Sequence, residues 1–197
     1  MHKIISIASK IGLGAALVAV CGVAYADFTV SDTFTATTPV TTQAGRLFRD
    51  GIPGTCAGKA VPTIADAATH RYNTYTVQNT GAAACVQVNL IAQAGCTSLP
   101  FTVAYTPSFN PASVQTNYLS DTGFSNSGGD TQSMRFVAPA NSTIAFDVHE
   151  VAAGTCSYTL QVIGLTNVVP TTSEWGLALL ALILGSAAFL VIRRRGR

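Results

Sequence analysis

The fold is decided most clearly by residues 142–150, which read Ser-Thr-Ile-Ala-Phe-Asp-Val-His-Glu. Large apolar side chains alternate there with small or polar ones: Ile144, Phe146 and Val148 against Ala145, Asp147 and His149. Because successive side chains of a strand point to opposite faces, this alternation predicts a strand with one buried face. We expect Asp147 and His149 on the other, solvated face, and Glu150 turned to water at the strand end.

The same alternation recurs along the middle of the chain. Short runs of this kind centre on Phe28–Val30, Tyr75–Val77, Val86–Leu90, Phe101–Tyr105 and Tyr158–Val162. Turn-rich stretches such as 79–81 and 125–130 separate them. Repeated short strands with one apolar face pack as two antiparallel sheets. The sequence therefore predicts an all-β, antiparallel β-sandwich of about seven to nine strands over residues 27–168.

Four cysteines lie in this domain, and an even count in an exported chain indicates two disulfides. Four cysteines allow three pairings, which the sequence leaves open. The preferred one joins the irregular 50–70 stretch to the strand from Ala84, and a loop to the last strand: Cys56–Cys85 and Cys96–Cys156. A four-cysteine zinc site is the alternative, but no C-x₂-C pair supports it.

The net charge of +2 resides at the two ends of the chain. Residues 27–168 carry five basic and eight acidic side chains, a net charge of −3. A domain of that charge, without a basic patch, argues against a nucleic-acid partner.

The N-terminus has the pattern of a secretory signal peptide over residues 1–26. Lys3 and Lys10 precede an apolar stretch at 11–23, and Ala24-Tyr25-Ala26 supplies small residues where signal peptidase reads them. We predict cleavage between Ala26 and Asp27, with the secretion machinery and signal peptidase as partners. An uncleaved membrane anchor is one alternative. A lipoprotein at Cys21 is another, although Val20 stands where a small residue is needed.

The C-terminal region predicts a transmembrane helix over residues 175–192. These 18 residues carry no charge, and a helix of that length rises about 27 Å, enough to cross a thin membrane. Trp175 lies where an interfacial aromatic residue belongs. A basic tail at 193–197 then holds the end in the cytoplasm: Arg193, Arg194 and Arg195. A buried core helix is the alternative.

Residues 169–176, Val-Pro-Thr-Thr-Ser-Glu-Trp-Gly, followed by this helix and basic tail, resemble the IPTL-CTERM sorting signal, which is similar to the PEP-CTERM class. Pro170, Thr171, Trp175 and Gly176 match its spacing, Val169 replaces Ile, and Thr172 replaces Leu. The resemblance implies an exosortase substrate: a membrane-anchored precursor with a periplasmic or extracellular domain, sent to the cell surface or secreted after processing within 169–197.

Residues 70–165 show a looser resemblance to bacterial pre-peptidase C-terminal-like domains, carried mainly by Tyr158-Thr159-Leu160-Gln161-Val162. The resemblance implies a jelly-roll-like sandwich that assists secretion or binding, and some such domains bind calcium. Asp121 and Asp130 flank an oxygen-rich turn and are the calcium candidates; a solvated turn is the plainer interpretation.

The sequence contains no catalytic motif and implies no cofactor. G-x-S-x-G and H-E-x-x-H patterns, a P-loop and a dinucleotide-binding glycine pattern are all missing. We therefore predict a non-enzymatic envelope protein with a structural or binding role and an unknown extracellular ligand. The alternatives are a small secreted hydrolase, favoured if a cleft gathers His149, Asp147 and another acid, and a fibre or pilus subunit, favoured by a long unpaired edge strand.

Overall fold

The computed structural model of the protein describes residues 24–35 and 41–167. The regular structure of these residues is entirely β. It comprises nine strands: β1 (Ala24–Phe34), β2 (Thr42–Leu47), β3 (Ile64–Asn79), β4 (Ala84–Ala92), β5 (Pro100–Tyr105), β6 (Tyr118–Asp121), β7 (Thr131–Ala138), β8 (Ser142–Glu150) and β9 (Cys156–Asn167).

The strands form two antiparallel sheets, so the predicted all-β architecture is confirmed. One sheet has the order β1-β9-β4-β7, and the other has the order β2-β3-β8-β5-β6. The long strand β3 pairs with β2 through its first half and with β8 through its second half. The predicted signal helix and transmembrane helix lie outside the described residues.

The main core lies between the two sheets and follows the predicted alternation. Ile144, Phe146 and Val148 of β8 face this core and are fully buried. They meet the apolar side chains of the other sheet: Val86, Val88, Leu90, Tyr158, Leu160 and Val162. Burying one such side chain contributes about 1.5–3 kcal/mol, so these alternating positions hold the sandwich together.

A second, smaller core covers the outer face of β5 and β8. Phe101, Val103 and Tyr105 pack there with Leu47 of β2 and with Val114 of the loop after β5. Tyr105 donates its hydroxyl proton to the carbonyl of Val114 at 3.0 Å. Strand β5 is therefore buried on both faces.

The expectation of a solvated face on β8 is wrong because this second core covers it. Asp147 is 0% exposed, His149 1% and Glu150 5%. Glu150 does not turn to water: its carboxylate accepts hydrogen bonds from the guanidinium of Arg71, one of them 2.7 Å long from Nε. The covering segments lie far from β8 in sequence, so the local alternation could not reveal them.

Two disulfides cross-link the domain. Cys56 is bonded to Cys85 and Cys96 to Cys156, so the pairing preferred from the sequence is confirmed. The first ties the loop between β2 and β3 to β4. The second ties the loop after β4 to the start of β9.

Candidate ligand-binding cleft

An open cleft of about 370 Å³ lies between the segment after β2 and the loop after β6. It is lined by two arginines, two phenylalanines, two glycines and one serine: Arg46, Arg49, Phe48, Phe124, Gly51, Gly123 and Ser125.

One wall of the cleft is formed by the residues that directly follow β2. Leu47 is fully buried, whereas the next residue, Phe48, is 52% exposed. The Gly51 N–H donates to the carbonyl of Gly123 at 3.0 Å and so joins the two walls. At Gly123, where φ is +70°, a Cβ would lie 2.5 Å from the backbone of Ile52. Only glycine allows this close approach.

The cleft carries unbalanced positive charge at Arg49. Nη1 of Arg49 donates a 2.5 Å hydrogen bond to Oγ of Ser125, and no described carboxylate lies within ion-pair distance of this guanidinium. Burial and the nearby charge of Arg46 lower the pKa of Arg49. An anion bound here would offset the repulsion between the two guanidinium groups.

Arg46 is partly neutralised, in contrast to Arg49. Its Nε lies 2.9 Å from Oδ2 of Asp66, within ion-pair distance. The Nε–H is nevertheless left without an aligned hydrogen-bond acceptor. Nη1 donates weakly, at 3.3 Å, to the carbonyl of Leu47. Arg46 therefore adds positive potential to the cleft without being its main cation.

Exposed apolar surface adjoins these cations. Phe48 and Phe124 are 52% and 47% exposed, and Ile52 beside them is 62% exposed. Aromatic rings next to guanidinium groups can hold a ligand that has an apolar face and a negative group.

Asp147 and His149 belong to a buried polar chain instead of an open site. Oδ2 of Asp147 lies 2.6 Å from Nδ1 of His149. The rings of His149 and His70 are 6.2 Å apart, and Nε2 of His70 lies 2.8 Å from Oδ1 of Asp66. Burial raises the pKa of Asp147, although the neighbouring His149 opposes the shift. None of Asp147, His149 and His70 lines the cleft.

The calcium candidates have protein partners. The ammonium of Lys59 lies 2.7 Å from Oδ1 of Asp121, 2.8 Å from Oδ1 of Asp50 and 2.5 Å from the carbonyl of Ile52. Oδ2 of Asp130 accepts a 2.8 Å hydrogen bond from Ser127. Within residues 24–35 and 41–167, no group of three or more His, Cys, Asp or Glu side chains could hold a metal ion.

The cleft residues are not among the sites predicted from the sequence. Arg46 and Arg49 are two of only five basic residues in the domain, and Phe48 lies between them. That local concentration of charge next to an aromatic residue was the available signal. No comparable pattern in the sequence indicates that Phe124 and Ser125 belong to the cleft, because they come from a loop about 75 residues further along the chain.

The predicted processing sites lie at or beyond the ends of the described residues. Strand β1 begins at Ala24, so the predicted cleavage between Ala26 and Asp27 falls inside it. Val169, Pro170, Thr171, Trp175 and Gly176 and the tail Arg193–Arg195 lie outside the described residues. Within the described ranges, no helix is long and apolar enough to span a membrane.

Comparison with known proteins bears on the C-terminus of the chain. The crystal structure of the infectious bursal disease virus VP2 subviral particle is similar with a TM-score of 0.32 and 14% identity, over 79% of this chain and 36% of that chain. A search of curated proteins found no match. Residues 169–196 match the IPTL-CTERM motif. The chain therefore carries an IPTL-CTERM sorting motif, which indicates an exported protein sorted through a C-terminal signal.

Proposed function

We propose that this chain is an exported bacterial envelope protein with a non-enzymatic, ligand-binding β-sandwich. The N-terminal signal peptide directs export, and the C-terminal helix holds a precursor in the inner membrane with its domain outside. An exosortase then processes the IPTL-CTERM region and releases the domain to the cell surface or the medium. In this proposal the sandwich is jelly-roll-like, and a helix lies at each end of the precursor.

The observation that carries the binding role is the cleft around Arg49. A guanidinium that has no carboxylate partner among the described residues lies beside two half-exposed phenylalanine rings, in a domain of low charge density. Exposed aromatic residues and arginine are enriched where proteins bind partners. The hydrolase alternative finds less support, because Asp147 and His149 are buried and a substrate cannot reach them.

The pairing of β1 with β9 suits a domain tethered at one point. Ala24 pairs with Asn167, so the two ends of the domain are neighbours at one end of the strand pair. Cleavage after Ala26 would leave the continuous pairing from Phe28–Val162 to Phe34–Cys156 in place. The mature domain would therefore keep its edge strand and connect to the membrane through the chain after residue 167.

The test is mass spectrometry of the full chain expressed in a bacterium with and without an exosortase. We expect a mature N-terminus at Asp27 and loss of the C-terminal helix only when the exosortase is present. Pro170→Ala should reduce C-terminal processing, and Thr172→Leu, which restores the family residue, should increase it. Pro139→Ala, in a turn of the domain, is the control. An intact C-terminal helix in every mature molecule would refute the sorting role.

A further inference from the structure

We propose that the cleft binds a small ring compound carrying a carboxylate, with the carboxylate on Arg49 and the ring face against Phe48 and Phe124. This inference rests on the proposed binding function and names the ligand class. Two sources share this chemistry: a uronic acid sugar and an aromatic acid.

Most of the hydrogen-bond donors of Arg49 have no acceptor among the described residues. A guanidinium offers five N–H donors in a planar fork that matches a carboxylate. Among the described residues, the guanidinium of Arg49 donates only one hydrogen bond, from Nη1 to Oγ of Ser125. Because Oγ of Ser125 accepts that bond, its own proton is free to donate to a ligand oxygen. Arg49 and Ser125, which both line the cleft, can therefore donate to one anionic group.

The exposed aromatic surface and the size of the cleft suit a ligand with one ring. Phe48 and Phe124 are each about half exposed although both line the cleft. A ring that covers them removes apolar surface from water, at about 25 cal/mol per Å². The cleft volume of about 370 Å³ lies at the lower end of the usual range of about 300–1,000 Å³ for small-molecule sites. It therefore fits a single ring and its carboxylate better than a larger ligand.

The walls of the cleft are held in place before any ligand binds. Besides the Gly51–Gly123 bond, the Gly54 N–H donates to the carbonyl of Asp121 at 2.9 Å. Lys59 also joins the two segments, since its ammonium contacts both Ile52 and Asp121. A preformed site avoids much of the ordering cost of binding.

The experiment is a titration of the full chain, labelled with [¹⁵N]glycine and held in a zwitterionic detergent. The chain has 17 glycines, so the amide signals of Gly51 and Gly123 report on the cleft. The probes are glucuronate and benzoate, with acetate (carboxylate alone), glucose (ring alone) and sulfate (anion alone) for comparison. We expect at least one ring carboxylate to shift both amides to saturation, at concentrations at least tenfold below those that acetate, glucose or sulfate requires.

Matched variants separate the two contacts. Arg49→Gln should weaken binding of the ring carboxylate at least tenfold, whereas Arg135→Gln, an exposed arginine on β7 that bonds Gln87, should leave it unchanged. Phe124→Ala should weaken the ring carboxylate but not acetate, with the exposed Val137→Ala as its control. Thermal melting of each variant checks that it remains folded.

The outcomes distinguish the ligand source and the two proposals. Saturation by glucuronate alone identifies a sugar acid, and saturation by benzoate alone identifies an aromatic acid. Equal binding of acetate or sulfate, or no loss in Arg49→Gln, would overturn the inference while a binding role for the cleft survives. If no probe shifts the amide signals of Gly51 and Gly123, the proposed ligand class is wrong. The sorting role is tested separately, by the processing assay alone.

Discussion

We expect the loop between β2 and β3 to depend on the ammonium of Lys59, and replacing this residue with methionine tests that role. Its side chain is 6% exposed, and it lies between Asp121, which is 0% exposed, and Asp50, which is 27% exposed. In Lys59→Met the carboxylate of Asp121 keeps, among the described residues, only the hydroxyl of Tyr118 and the N–H of Gly123 as donors. The charge is then buried without a counterion.

The expected cost follows from these exposures. Removing one partner of a buried ion pair costs about 3–5 kcal/mol, whereas the more exposed contact with Asp50 adds at most about 1 kcal/mol. We therefore expect the free energy of unfolding of Lys59→Met to fall by about 3–5 kcal/mol. Urea unfolding followed by far-ultraviolet circular dichroism measures it, and Arg135→Met, at an exposed arginine, should change it by less than about 0.5 kcal/mol.

A double variant isolates the cause. Adding Asp121→Asn to Lys59→Met neutralises the buried charge, so it should recover more than about 1 kcal/mol of the loss. A loss below about 1 kcal/mol in Lys59→Met, or no recovery in the double variant, would show that the ion pair does not stabilise the loop.

Three further predictions concern the rest of the domain. Replacing both Cys96 and Cys156 by alanine opens a loop with a sequence separation of 60 and should lower the free energy of unfolding by about 4 kcal/mol. Urea unfolding against the wild type under oxidising conditions measures this loss, and an unchanged midpoint would contradict the prediction. Phe146→Ala, at a fully buried position, should lower the free energy of unfolding by about 3–5 kcal/mol in the same assay. A loss under about 1 kcal/mol would show that the core repacks to fill the cavity. Burial raises the pKa of Asp66, but His70 and Arg46 lower it more, so the net shift is downward. The ionised Asp66 therefore stabilises the fold above its unfolded pKa of about 3.9, and this contribution is lost as the pH falls through the lower pKa of the folded state. Between pH 7 and pH 3, the free energy of unfolding should fall less in Asp66→Asn than in the wild type. Equal falls in the two proteins would refute the assignment.

The strands themselves could be predicted from the sequence because each encodes its buried face locally. The alternation in residues 142–150 predicted β8, and its apolar positions Ile144, Phe146 and Val148 do face the main core. The C-terminal motif was likewise recognisable from residues 169–176, since its spacing is a local pattern. Period-two patterns and short motifs need no knowledge of what packs against them.

The candidate site could not be predicted in this way. Phe124 and Ser125 line the same cleft as Arg49 although β2 and β6 lie at opposite edges of the second sheet. The covered face of β8 depends on Leu47 and on the loop after β5. Which polar side chain is buried is decided by contacts between distant segments. The pattern Asp-x-His therefore indicated an exposed face where the structure has a core.

By itself, the sequence determined an all-β domain with two disulfides and a C-terminal sorting motif, because local periodicity, cysteine number and motif spacing are properties of the chain. Only the tertiary structure decided that Asp147 and His149 are buried, that Lys59 is the cation beside Asp121, and that Arg49 faces a cleft without a carboxylate partner among the described residues. The physical reason is that burial and charge balance are sums over neighbours in space, and the neighbours of these residues come from strands and loops far away along the chain.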